Sequence, residues 1–380
     1  MIEPELSRRA LGRTIAAAVS LPTLGRAFTP PDDPGFLVRG DRPLNLETPV
    51  DRLGEARTET KWFFVRSHFG PPAVGLHPWS IHVTGLVREE SKLELGEIGG
   101  TGTAELAAVL QCAGNGRAFF EPAVSGVPWE RGGVGQADWR GVRLRDLLES
   151  VGIDKSAKHV HVLGGDPPPH PKTPALLRSL PIDRAMDEST LLATHMNGEP
   201  LPIVHGGPVR LVVPGWTGNH WIKWVRAIVC SETEAPGFYQ QTGYRIPKRE
   251  TPPGVEVKPE DTVPVTWMNV KSLITRPTRG EKLATGRIEL RGVAWTGEGT
   301  VTRVEISVDG APWRDALLTP PRSAHAWSAW SLALELGTGK HRIRARATDS
   351  AGSVQPERTP WNKSGYLWNG IDEIEIQCGN

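Results

Sequence analysis

The stretch SLALELGTGKHRIRARATDSAG, Ser331 to Gly352, alternates apolar and polar residues almost without a break. Leu332, Leu334 and Leu336 mark one face before the glycines, and Ile343, Ala345 and Ala347 mark one face after them. A period of two sends successive side chains to opposite sides of a strand. TRVEISVDG repeats the pattern: Val304, Ile306 and Val308 run into Asp309-Gly310. Asp-Gly beside an alternating run signals a hairpin turn. Short strands at regular spacing with turn signals predict a β-sandwich of immunoglobulin type over residues 265–380.

Upstream the pattern changes. KRETPPGVEVKPEDTVP, Lys248 to Pro264, is rich in proline and charge and reads as a linker, placed at 251–264. Residues 61–250 mix two periods. WSIHVTGLV and KHVHVLGG alternate as strands, and PVRLVVPG and HWIKWVRAIVC read as further strands. RLRDLLESVG puts Leu144, Leu147, Leu148 and Val151 at helical spacing, with Gly152 as a stop. LLATHMNGEPL enters an Asn197-Gly198 turn. Residues 28–60, rich in Pro, Asp and Arg, read as an extended lead-in. The expected class is α+β: a mixed α/β domain followed by the sandwich.

The chain has 380 residues, room for about two domains. With 38% hydrophobic and 23% charged residues it is of the globular type, and its net charge of +1 gives no nucleic-acid signature. It has no apolar run of ~18 residues, so no membrane span is expected. Three widely spaced cysteines, Cys112, Cys230 and Cys378, rule against a disulfide framework or a paired-cysteine zinc site. Cys230, closing an apolar run, fits a buried hydrophobe. At the N-terminus, Ser7-Arg8-Arg9 precedes a short apolar run from Ile15 to Leu24. Residues 1–27 therefore read as a twin-arginine export signal, which places the protein in the periplasm; a plain basic arm would leave it cytoplasmic.

Chemistry concentrates in loops. LQCAGNGR, Leu110 to Arg117, sets a cysteine before a glycine-rich turn, where backbone and thiolate can approach something bulky. A soft thiolate suits a metal centre that has sulfur ligands of its own. FFVRSHFG adds Arg66 and His68, VHGGPVRLVVPG adds His205 and Arg210, and GNHWIKW adds His220 and Lys223. Cations dispersed over several glycine-bearing loops suit an anion held at many points.

Together FFVRSH, LQCAGNGR, VGQADWRGVRLRDLL, MNGEPLPIVHGGPVRLVVPG and IKW resemble the molybdenum domain of the sulfite oxidase family, in order and spacing. WTGEGTVTRVEISVDG and TPWNKSG are similar to that family's C-terminal dimerisation domain, so the resemblance covers about residues 60–375. It implies a molybdenum-molybdopterin cofactor without haem, oxidation of sulfite to sulfate, an external electron acceptor such as a c-type cytochrome, and a homodimer formed through the sandwich, with Trp327, Trp330 and Trp361 available for its interface. By the same resemblance Cys112 ligates the metal. Phe64, Val65, Arg66, Ser67, His68, Asp166, His205, Arg210, Trp221, Ile222 and Lys223 hold the pterin and its phosphate. Arg66, Arg117, Trp129 and Tyr244 form the substrate pocket.

Two positions depart from the family pattern. Gly243 stands where Asp usually precedes the tyrosine, and Ser364 stands where a basic residue is usual. A pocket short of one cation keeps open a molybdopterin reductase of nitrate or of an S- or N-oxide. A Cys112–His205 hydrolase and a non-catalytic binding module are the alternatives from other classes.

Overall fold

The computed structural model describes residues 35–72, 79–98 and 103–379; the expected export signal lies outside them. Alternation decides most of the N-terminal half. Five strands form one sheet: Glu199–Pro200, Leu191–Met196, Val134–Arg143 and Ala104–Gln111 in order, with Arg210–Val212 also on Leu191–Met196. A second sheet runs Ser91–Glu94, Ser80–Gly85, Val225–Ser231, His159–Gly164, Leu177–Pro181. Its pair Ser80–Gly85 and Val225–Ser231 is parallel. The large apolar core takes side chains from both sheets, among them Val83, Trp139, Val162, Leu192 and Ile228.

Helices are few and short. The longest described one, Leu144–Ser150, buries Leu144, Leu147 and Leu148, and Gly152 follows with φ +69°. The others, such as Leu95–Ile98 and Ile182–Ala185, are single turns. The expected α+β mixture is therefore mostly β, because alternation outweighs helical spacing along the chain. HWIKW, expected as strand, begins at the last residue of a 3-10 turn, Gly218–His220, and ends in a left-handed Trp224, φ +53°; the strand starts only at Val225. The lead-in is partly ordered: Leu37–Asp41 and Leu44–Glu47 form a hairpin that pairs with Val65–Arg66.

The C-terminal half has two facing sheets, Lys271–Arg276, Gly286–Trp295, Ser328–Leu336 and Leu317–Leu318 in one, and Lys282–Leu283, Asp372–Cys378, Gly339–Asp349, Val301–Val308 and Arg314–Asp315 in the other. Ile274, Leu290, Leu334, Ile343, Ala345 and Ile374 fill the space between them. Trp327 and Trp330 are each 2% exposed, so they belong to the core rather than to a free interface. Trp330 lies where a Cβ on Gly292 would be, 2.2 Å away. Trp327 joins Leu53, Val109, Val134, Leu273 and Trp295 in a smaller core. That core and the buried Arg131–Asp372 ion pair lock the two halves together. Arg131 Nε donates to Asp372 at 2.8 Å and Nη2 to the Ile274 carbonyl at 2.6 Å.

Candidate active site

The strand ends of the N-terminal half surround a cavity of about 710 Å³. Its walls come from separate loops: Phe64, Arg66, Ser67 and His68 after the short strand, Cys112 after Ala104–Gln111, Asp166 after His159–Gly164, His205 and Arg210, and Trp221 to Lys223. Tyr244 lines it too. Twelve of the fifteen residues singled out in the sequence thus face one space.

Cys112 is a free, half-buried thiol. Its backbone N–H donates to the Gly133 carbonyl at 2.9 Å, and its own carbonyl accepts from Asn115 at 2.9 Å. Gly116 adopts φ +91°, and a Cβ there would sit 2.5 Å from Trp368. The glycine turn anticipated in LQCAGNGR is therefore required by close packing.

The floor is a group of buried cations. Arg210 donates to the His205 carbonyl at 2.7 Å and the Trp221 carbonyl at 3.2 Å, while its Nε is buried without a partner. Lys223 Nζ donates to Ser67 Oγ at 2.9 Å and the Val204 carbonyl at 3.1 Å. Neither has a salt bridge among the described residues. Burial pulls the Arg210 guanidinium down to about 9 and the His205 imidazole to about 3. Burial and then the charge of Arg210 hold Lys223 well below the usual lysine range. Asp166 is the one carboxylate in the cavity wall, and burial pushes it up to about 6. Buried charge needs a partner. Cations with only carbonyl and hydroxyl acceptors, and an orphaned guanidinium N–H, fit a dianionic phosphate.

Tyr244 stands across from this floor. It adopts φ +54°, a left-handed conformation rare for a tyrosine, directly after Gly243. A 2.7 Å hydrogen bond joins its hydroxyl to His68 Nε2. Burial raises the phenol above its ordinary value and lowers His68 well below 6.5, with Arg66, Lys223 and Arg178 adding to the latter. The pair is therefore a protonated phenol beside a neutral imidazole at neutral pH.

Three expected residues stand back from the cavity. Val65 is buried behind the wall, 4% exposed. Trp129 is fully buried and meets Phe64 edge-on at 6.0 Å. Arg117 is buried, and its guanidinium lies over the Tyr366 ring rather than in the wall. No hydrogen bond joins Cys112 to His205; the His205 ring contacts the Thr60 carbonyl at 3.3 Å instead. That removes the geometry of a thiol–imidazole hydrolase pair.

Two residues missed in the sequence belong here. Arg178, 1% exposed, donates to the Tyr239 carbonyl and to His220 Nε2 at 2.9 Å, with its guanidinium 5.5 Å from the Tyr244 ring. Its signal was an arginine inside the apolar run LLRSLP. Tyr366, stacked on Tyr244 at 5.3 Å, followed TPWNKSG without any pattern to mark it.

A cysteine thiol and cations that lack carboxylate partners share one cavity in a mostly β domain joined to a β-sandwich. The family description "Oxidoreductase molybdopterin binding domain" matches residues 68–239, and "Mo-co oxidoreductase dimerisation domain" matches 263–378. The chain is 35% identical to the sulfite oxidase of Gallus gallus over 362 residues, covering 90% of this chain and 78% of that protein. It is 33% identical to the mitochondrial sulfite oxidase of Homo sapiens, covering 92% of this chain and 67% of that protein. The solved structure of the sulfane dehydrogenase SoxCD from Paracoccus pantotrophus shares the fold, with TM-score 0.78 at 23% identity over 99% of this chain and 97% of that one. The chain belongs to the sulfite oxidase family and is an oxidoreductase. No described helix is long and apolar enough to cross a membrane.

Proposed function

We propose that this enzyme oxidises sulfite to sulfate with a molybdenum-molybdopterin cofactor and passes the electrons to an external acceptor such as a c-type cytochrome. Sulfite and water give sulfate, two protons and two electrons. The observation that carries the reading is the pair of cations Arg210 and Lys223, without a salt bridge among the described residues, gathered with the neutral His205 in the cavity wall that also holds Cys112. In this reading Arg210, Lys223 and His205 grip the pterin phosphate, and Cys112 is the protein's ligand to the metal. The bound cofactor supplies the two-electron redox chemistry.

The chain's own groups bind and orient. Arg66 lines the cavity, with one nitrogen tied to Asn45 Oδ1 at 3.3 Å and to the Ser67 carbonyl, and presents the charge that an oxyanion needs. Tyr244 keeps its proton and donates toward the anion, while the neutral His68 fixes its hydroxyl. Cavity walls of Trp221, Trp224 and Phe64 limit water and strengthen these contacts. The reading includes an immunoglobulin-type sandwich that pairs two chains, and export by the twin-arginine route.

Steady-state oxidation of sulfite by the purified holoenzyme, with ferricyanide or cytochrome c as acceptor, tests it. Sulfite-dependent reduction of the acceptor is expected. Nitrate reduction by a reduced donor, without sulfite turnover, would instead select the reductase alternative that Ser364 and Gly243 motivate.

A further inference from the structure

Arg117 is pinned by backbone. Its Nε donates to the Ser364 carbonyl at 3.0 Å and its Nη1 to the Val127 carbonyl at 3.0 Å. Glycines pack against the guanidinium: a Cβ on Gly114 would lie 2.5 Å from it, and one on Gly126 3.0 Å. Gly365 presses on the same side chain, where a Cβ would come within 2.8 Å. The guanidinium also faces the Tyr366 ring, 5.3 Å from its centroid. Tyr366 stacks on Tyr244 at 5.3 Å with an interplanar angle of 21°. Arg178 lies 5.5 Å from the Tyr244 ring. The series runs guanidinium, ring, ring, guanidinium.

The same pair of rings divides two cavities. Tyr244 lines the inner one, beside Cys112 and Arg66. Tyr366 lines an outer, open one of about 660 Å³, together with Lys248, Asn269, Trp361 and Asn362. Tyr366 backs the Tyr244 ring, which lines the inner cavity with Cys112 and Arg66. Its ring therefore stands between the Tyr244 ring and the cation that the sequence assigned to the substrate.

We propose that Tyr366 is a specificity-determining residue: its ring fills the space in front of Arg117, closes the inner cavity against the outer one, and restricts the substrate to a compact oxyanion. This rests on the oxyanion reading above. Sulfite presents three oxygens around sulfur and needs no room beyond them. A sulfinate places an alkyl group where one oxygen would be, and that group needs the volume the ring occupies. The ring, not the hydroxyl, does this, so phenylalanine should serve and a small aliphatic residue should not.

The test uses cofactor-loaded wild type, Tyr366→Phe, Tyr366→Val and Tyr366→Ala. The first readout is kcat/KM for sulfite and for methanesulfinate with ferricyanide. In both oxidations sulfur gains one oxygen from water, two protons are released and two ferricyanides are reduced. The second readout is calorimetric titration of the same proteins with sulfate and with methanesulfonate. Tyr366→Ala should raise the methanesulfinate-to-sulfite ratio by about ten-fold or more, the scale one methylene commands in a shaped pocket. Tyr366→Val should shift it less, Tyr366→Phe should keep the wild-type ratio, and the binding preference should move the same way. An unchanged ratio in both small variants overturns the proposal and leaves sulfite oxidation standing. A wild type that turns over no sulfite overturns the proposed function instead; the titrations then decide, and an unchanged sulfate-to-methanesulfonate preference in Tyr366→Ala overturns the filter. Tyr366→Phe behaving like Tyr366→Ala would assign the effect to the hydroxyl and also overturn it.

Discussion

Arginines on the sandwich strands and cations around the inner cavity are handled differently. On the sandwich strands, arginines meet carboxylates: Arg303 reaches Asp315 at 2.6 Å and Glu305 at 2.8 Å, and Arg346 reaches Glu305 at 2.9 Å. Around the inner cavity, Arg178, Arg210 and Lys223 meet carbonyls, a histidine and aromatic faces instead. Carbonyl oxygens carry partial charge, so they satisfy geometry without neutralising the cation. The first arrangement is complete within the protein. The second keeps positive charge available to an anionic ligand, and it costs the apoprotein stability because buried charge without a counter-ion is unfavourable.

The sharpest way to break that contrast is at Cys112. Cys112→Ser keeps the cation floor, so most of the cofactor should stay bound. The hard serine oxygen replaces a soft thiolate, and sulfite oxidation should fall by orders of magnitude with loss of the thiolate-to-metal absorption band. Wild-type turnover in this variant would remove the loop from the active site.

The interdomain pair Arg131–Asp372 is the buried counter-example, a cation matched by a carboxylate. Asp372→Ala leaves Arg131 and the Ile274 N–H without their acceptor. Losing one partner of a buried pair costs about 3–5 kcal/mol, to be read from denaturant unfolding. A change like that of a surface pair would show that the lock is not closed.

Asp166 gives a smaller, pH-dependent effect. Its folded value of about 6 lies above its ordinary 3.8. Between those values the folded state holds a proton that the unfolded chain has released, so the apoprotein should lose stability as pH rises from about 4 to about 6. Two units correspond to roughly 2–3 kcal/mol. Asp166→Asn should flatten that slope in melting curves; an unaltered slope would assign it to other groups. Smallest of all, Arg303→Ala, which removes an exposed arginine from Asp315 and from Glu305 while Arg346 still pairs with Glu305, should leave the melting temperature unchanged within error.

Much of this architecture was legible because period-two alternation is a local signal. Thr302–Gly310 and Ser331–Gly352 read directly as strands, and Leu144–Ser150 as a helix. The loops that converge on the cavity were legible as separate motifs, and resemblance to a family brought them together. What the sequence hid was depth. HWIKW reads as strand because its apolar residues are dense, yet it leaves a 3-10 turn and its Trp221 carbonyl accepts from Arg210. Trp327 and Trp330 read as interface residues because tryptophan is equally at home in cores and interfaces. Arg117 reads as a pocket arginine because no local pattern reveals that Tyr366, 249 positions later, lies across its face. Arg178 and Tyr366 become visible only when strands distant in sequence are brought together.

The claim that the carbonyl-bound cations exist to hold an anionic cofactor is tested most directly by molybdenum and pterin content. Wild type and Arg210→Met would be purified from a host that makes the cofactor, and metal and oxidised-pterin fluorescence measured per chain. The account predicts close to one molybdenum per wild-type chain. It predicts a several-fold loss in Arg210→Met, whose apoprotein melts no lower than the wild-type apoprotein. Wild type without molybdenum or pterin, or Arg210→Met with full cofactor content, would contradict it.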